Sequence, residues 1–180
     1  MNNFENVFIL STGRCGSLTF AKACNHFTNY TSDHESLSGE LGKKRFEYPL
    51  NHIESDNRLS WFLGKLNRYY GNNAFYVHLK RDKVMTAQSF EKRSDRGIMS
   101  AYQKPGILLG SNESDMFKVA LDYVETVNSN IEYFLSDKDN KMDFYIENPE
   151  KYFEKFINNI GGKGKLDKAF NEFKFKHNKS

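Results

Sequence analysis

The sequence predicts a three-layer α/β sandwich with a mainly parallel central sheet, on three observations. Short apolar runs of strand length recur, at residues 5–11, 74–79 and 142–146. Between them lie longer stretches with an apolar residue every three or four positions. Strand runs alternating with helical ones are the pattern of crossover units that build a parallel sheet. Polar residues also gather just after strand runs, at 11–16, 33–35 and 80–82, and in such a sheet that edge is where ligands bind.

In chain order, residues 5–11 read as a buried strand and 17–27 as a helix turning Leu18, Ala21 and either Ala23 or Cys24 inward. A second short strand follows at 29–33. Residues 36–48 mix glycine, serine and charge and read as a mobile excursion with at most a short helix. A strand is expected at 49–54 and a helix over 58–70, where Leu59, Phe62, Leu63, Leu66 and Tyr69/Tyr70 keep helical spacing until Gly71-Asn72-Asn73 stops it. Residues 74–79 form a central strand and 83–92 a helix. Residues 94–113, rich in glycine and serine and carrying Pro105, read as a long loop or lid. The longest helical pattern runs over 115–135, followed by a last strand at 142–146 and closing helices at 150–160 and 166–175. No internal repeat or domain-length linker interrupts the 180 residues, so one domain spanning 1–180 is expected.

Composition removes several classes. A formal net charge of +3 is too small to indicate nucleic acid as a partner. The N-terminus has no basic leader, its apolar run stops at Leu10, and no stretch approaches 18 apolar residues. The expectation is a soluble, cytoplasmic protein with no membrane span. Cys15 and Cys24, nine residues apart without a CxxC or CxxH neighbour, fit reduced thiols better than a disulfide or zinc site.

The stretch with the most chemistry is Thr12-Gly13-Arg14-Cys15-Gly16-Ser17-Leu18-Thr19. A strand, a glycine-bracketed turn and a helix start make an anion cradle, because unpaired backbone N–H groups and the positive helix end point at the same spot. Gly13 and Gly16 let the backbone approach, Ser17 and Thr19 bring hydroxyls, and Arg14 a permanent charge. It is not a Walker A loop, since its glycines are three apart and no lysine follows the second. A cysteine phosphatase loop would need arginine at position 21 or 30, where Ala21 and Tyr30 stand. No strand ends in an obvious magnesium-holding aspartate, Glu147 ahead of Asn148-Pro149 being a weak signal, so nucleoside-triphosphate kinase chemistry, which leans on a lysine and a metal, is disfavoured.

This loop resembles the 5′-phosphosulfate loop, in its arginine form, of sulfotransferases that use 3′-phosphoadenosine 5′-phosphosulfate (PAPS). It departs at Cys15 and at Leu18, where a second hydroxyl is usual and Thr19 stands in. A second stretch, from Tyr76 through Arg81-Asp82-Lys83 to Ser89, resembles the family's 3′-phosphate motif, with Arg81 and Ser89 eight residues apart. Lys83 replaces the common proline. A third, softer match is the late strand 143–147 with Glu147 and the helix after it; the glycine-lysine segment 161–165 is a poor match to the family's glycine-rich loop and reads better as a linker. The resemblance implies a P-loop NTPase-like fold, PAPS as donor, and Gly13, Arg14, Cys15, Gly16, Ser17, Leu18, Thr19, Arg81 and Ser89 as donor-binding residues.

Sulfuryl transfer needs a base for the acceptor and a cation for the leaving phosphate. Arg14 is the cation. Glu35, twenty-one residues after it at a strand end, matches the base position of arginine-loop members; His34 is the second choice. Lys80, Lys92, Arg93 and Arg96 form a basic cluster that is either a solvated helix face or a further anion grip. Trp61, Tyr69 and Tyr70 read as packing, and His78 as a core histidine. The acceptor, a small molecule or carbohydrate, would be met by 36–48 and 94–113. Two rivals stand beside this reading: a divergent P-loop nucleotide kinase or hydrolase, and a catalytically inactive nucleotide- or partner-binding module.

Overall fold

The computed structural model describes residues 3–103, 105–175 and 177. Five strands, β1 (Asn6–Leu10), β2 (Thr31–His34), β3 (His52–Ser55), β4 (Phe75–Lys80) and β5 (Lys141–Tyr145), form one sheet in the order β2-β3-β1-β4-β5. Every neighbouring pair is parallel, with Ile9 level with Ser55 on one side and Val77 on the other. A parallel sheet must bury both faces, and the alternating residues of β1 divide between two cores. Val7 and Ile9 join Phe20, Ile53, Val77, Phe144 and Phe153 under α1 (Ser17–Cys24), α6 (Pro149–Ile160) and α7 (Leu166–Glu172). Phe8 and Leu10 join Tyr76, Phe90, Tyr123 and Val127 under α2 (Leu63–Tyr70), α3 (Lys83–Glu91), α4 (Gly97–Gln103) and α5 (Met116–Leu135). Each fully buried phenylalanine here contributes about 1.5–3 kcal/mol by leaving water.

Two predicted elements differ in detail. The helix expected over 58–70 is a 3-10 turn, Asn57–Trp61, followed after Phe62 by α2. Asp56 caps that turn by accepting the Arg58 backbone N–H, which starts it earlier and tighter than apolar spacing indicates. The loop expected over 94–113 contains α4, whose Met99 and Tyr102 are buried in the α5-side core. Glycine at its first position hides that helix from propensity, while packing against α5 stabilises it. Within 36–48 the regular piece is a 3-10 turn, Lys44–Phe46, with Phe46 buried.

The glycine-lysine segment 161–165 packs at the amino-terminal edge of the sheet: Gly164 bridges to Phe27, and Asn29 donates to the Gly161 carbonyl over 2.9 Å. It is a docked linker, at the opposite end of the strands from the glycine loop. Both cysteines are buried free thiols. Among the described residues no helix is long and apolar enough to cross a membrane.

Candidate functional site

The loop after β1 is shaped by three exceptions to ordinary backbone within four residues. Gly13 has φ 85°, Arg14 φ 59° and Gly16 φ 88°. The glycines are needed for more than their φ. A Cβ on Gly13 would stand 3.1 Å from Asn57 Nδ2, and one on Gly16 3.0 Å from Ile146 Cδ1. Gly16 caps α1 without a side chain, so the first N–H groups of the helix face outward unpaired by any cap. Beneath the loop, Tyr123 donates its hydroxyl to the Thr12 carbonyl (2.7 Å) and Ser60 to that of Ser11 (3.1 Å). Cys15 is buried against Thr12 Oγ1 at 3.1 Å, and burial pushes its thiol above the ordinary range. Cys15 therefore holds the loop as a neutral small group.

The second stretch arrives from β4. Arg81 leaves the strand end and donates from Nη1 to the Arg14 carbonyl at 3.0 Å, while Asp82 caps α3 through the Met85 N–H at 2.8 Å. Glu147, two residues past β5, accepts the Asp82 N–H at 2.7 Å and so ties together the segments that leave β4 and β5. Two turns into α3, Ser89 accepts from Arg14 Nε at 3.0 Å. The two stretches singled out in the sequence are thus one wall of one cavity. It has a volume of about 710 Å³ and takes in residues 14–19, Arg81, Ser89 and Lys92.

Its electrostatics are one-sided. Burial first, then the charges of Arg93 and Arg81, lower the Arg14 guanidinium below its ordinary value. None of these three arginines has a carboxylate ion-pair partner among the described residues. Like charges held together without a counterion are a cost that an anion relieves. Arg93 does not line the cavity but is near enough for its charge to act on Arg14, whereas Arg96 lies on the surface beside Asp95 at 3.7 Å.

His34 and Glu35 lie on the other side of the α1 N-terminus. His34 Nε2 meets Ser17 Oγ at 3.0 Å, and Ser55 donates to the Ser17 carbonyl at 3.1 Å. Burial lowers the His34 imidazole below its ordinary value, so at neutral pH it is uncharged and able to accept from the serine. Glu35 does not touch the loop. It adopts φ 56° and its carboxylate pairs with Arg58 Nη1 at 2.6 Å. The three polar strand ends therefore do face one edge, with β3 between β1 and β2, and Glu35 is not among the residues that line the arginine cavity.

Fold and site together can be set beside known structures. No protein-family model matches the chain, and no curated protein matches it in sequence. Among solved structures, a sulfotransferase domain from the curacin biosynthetic pathway superposes with a TM-score of 0.62 at 15% identity, over 88% of this chain and 74% of that one. A sulfotransferase domain from the Synechococcus PCC 7002 olefin synthase superposes with a TM-score of 0.66 at 13% identity, over 98% of this chain and 80% of that one. The chain has a sulfotransferase fold. At these identities the likeness extends to the path of the backbone, and the residues that act in this sulfotransferase fold must be argued from its own geometry.

Sequence reasoning missed several neighbours of the site. Phe173 and Phe175 wall the cavity from the segment after α7, more than 150 residues from the loop in sequence. No local pattern links such distant positions. Asp56 and Glu54, both fully buried at the end of β3, were also missed. The signal existed: carboxylates in a strand of apolar length are unusual and ask for partners.

Proposed function

We propose that the chain is a PAPS-dependent sulfotransferase, moving a sulfuryl group to a hydroxyl or amine of a small-molecule or carbohydrate acceptor. The observation carrying this reading is the Arg14–Ser89 hydrogen bond beside the Arg81–Arg14 one, which makes a single anion clamp from two separate motifs. The residues present fit a bisphosphorylated donor. Gly13 and Gly16 leave room for backbone approach, and the α1 N-terminus and Arg14, Ser17 and Thr19 suit a 5′-phosphosulfate. The Leu18 backbone N–H, with Cys15 holding the loop, completes that cradle. Arg81 and Ser89 suit a 3′-phosphate, with Arg93 and Lys92 adding charge.

The donor supplies an activated sulfur atom and a good leaving group. Arg14 answers the charge that builds on the leaving phosphate oxygen as the S–O bond breaks. Glu35, released from Arg58, takes the acceptor proton while the acceptor oxygen forms its bond to sulfur, and the departing bisphosphate keeps the electron pair. His34, neutral and bonded to Ser17, is the alternative base and otherwise orients that hydroxyl. No metal is assigned a role. We read the chain as one sulfotransferase-like domain, cytoplasmic, a placement its two reduced thiols support.

The test is transfer of radiolabelled sulfate from PAPS to a panel of alcohols, phenols, sugars and amines. Wild type should label at least one acceptor, and Glu35→Gln should lower that rate about 10²–10⁴-fold, the usual contribution of a general base. Bisphosphate binding with no transfer to any acceptor would favour the inactive binding module instead.

A further inference from the structure

A network beside Glu35 has no part in donor binding. Asp56 follows β3, is fully buried, and uses Oδ1 to accept the Arg58 N–H at 2.7 Å. Its other oxygen, Oδ2, is buried without a hydrogen-bond partner. Arg58, two residues on, pairs its guanidinium with Glu35 at 2.6 Å. Arg58 is therefore linked to both carboxylates, to Asp56 through its backbone N–H and to Glu35 through an ion pair, while its buried Nη1 makes no hydrogen bond of proper geometry.

The surroundings complete the circuit. Glu54, on β3, is held by the Ser36 N–H at 3.0 Å and by His52 Nε2 at 3.1 Å. Tyr48 lies over this cluster with its hydroxyl unpartnered; its phenol is raised by burial and by the charges of Glu54 and Asp56, with Arg45 opposing them. The charges of Glu54, Glu35 and Arg58 act on Asp56, that of Asp56 acts on Tyr48, and the His34 imidazole feels the same Glu35, Glu54 and Arg58. A buried carboxylate with an idle oxygen is costly to ionise, and burial first, with Glu54 and Glu35 adding, pushes Asp56 up to about 6.

We infer that Asp56 is a positioning residue that, by carrying or releasing a proton, decides how tightly Arg58 holds Glu35. With Asp56 protonated, Glu35 alone answers the Arg58 charge and stays latched. With Asp56 ionised, Arg58 is shared between two carboxylates, its guanidinium is drawn toward Oδ2, and Glu35 is released to receive a proton from the acceptor. This deepens the sulfotransferase reading and rests on Glu35 being its base.

The chain supplies its own reporter, because Trp61 is its only tryptophan and lies on the 3-10 turn that Asp56 caps. Trp61 emission should change with a midpoint near pH 6 in wild type and be flat over the same range in Asp56→Asn, a substitution that keeps an N-cap. Transfer should rise with the same midpoint in wild type. Asp56→Asn should lose that inflection and run about tenfold slower above pH 7, one unit's worth of interaction, with bisphosphate affinity within about twofold of wild type. Arg58→Gln should uncouple the two readouts, keeping the emission change and losing the inflection in rate. A role confined to capping predicts an equal rate loss at every pH with the inflection intact, and that result overturns the inference. So does an emission change that survives in Asp56→Asn. A Glu35→Gln enzyme that transfers at the wild-type rate removes Glu35 as base, while the latch itself is still decided by the emission titrations of the two other variants.

Discussion

Arg14 Nε donates to Ser89 Oγ over 3.0 Å, joining positions 75 residues apart. The bond brings the turn after β1 to the second turn of α3, and Arg81 locks it by bonding the Arg14 carbonyl. These bonds already hold Arg14, Arg81 and Ser89 together, an arrangement that would lower the ordering cost of the anion binding proposed above.

Arg14→Ala should weaken 3′-phosphoadenosine 5′-phosphate binding about 10–100-fold, the worth of a charged hydrogen-bonding group. It should leave the melting temperature close to wild type, because the lost Ser89 hydrogen bond is offset by relief from the charges of Arg81 and Arg93 and alanine keeps the same φ of 59°. Calorimetry and thermal unfolding on one preparation check both halves. A clear loss of stability with unchanged affinity would make Arg14 a structural residue.

Arg81 does two jobs, so its removal should separate ligands. Arg81→Ala should weaken the bisphosphate more than tenfold, and adenosine 5′-phosphosulfate, which lacks the 3′-phosphate, only about two- to threefold through the lost support of the loop. Equal losses would show that Arg81 props the loop and does not read the second phosphate.

Gly16→Ala should cost about 1–3 kcal/mol, because alanine at φ 88° is strained and its Cβ would meet Ile146 at 3.0 Å. Bisphosphate affinity should fall with it, since the same turn aims the α1 N–H groups. Circular dichroism melts and calorimetry on the variant measure the two effects.

The Asp56 carboxyl sits above its ordinary value, so between 3.8 and about 6 the fold binds more protons there than the unfolded chain does. Its contribution to stability is therefore greatest at low pH and declines as pH rises toward 6. Asp56→Asn should raise the melting temperature by a few degrees at pH 8, the buried charge costing on the order of 2–3 kcal/mol. Near pH 4 the two proteins should melt together. A lower melting temperature for the variant at pH 8 would show that the carboxylate is stabilised in the fold.

How much of this was legible in the sequence follows from how local each signal is. β1, β4 and α5 are written in periodicity, and the turn from Gly13 to Thr19 in residue types, so fold class and the arginine loop could be read directly. The pairing of Arg81 with the loop was readable only through a motif resemblance, although its spacing to Ser89 is a helical one. By contrast, α4 depends on burial of Met99 and Tyr102 against α5, which glycine-rich composition conceals. Phe173 and Phe175 meet the cavity only because α7 packs on α1, a long-range event. The Asp56–Arg58–Glu35 series spans a strand neighbour, and strand order is not printed in periodicity. Glu35 is indicated in the sequence by its place at a strand end and its distance from Arg14; its ion pair with Arg58 and the bond of His34 to Ser17 are visible only in the structure.

The central claim is that this clamp holds an adenosine carrying two phosphate-type groups, without a metal. Isothermal titration with 3′-phosphoadenosine 5′-phosphate in chelator-treated buffer, beside ATP with magnesium, measures it most directly. Micromolar or tighter binding of the bisphosphate, with ATP much weaker, is the predicted result. Magnesium-dependent ATP binding with none for the bisphosphate would contradict it.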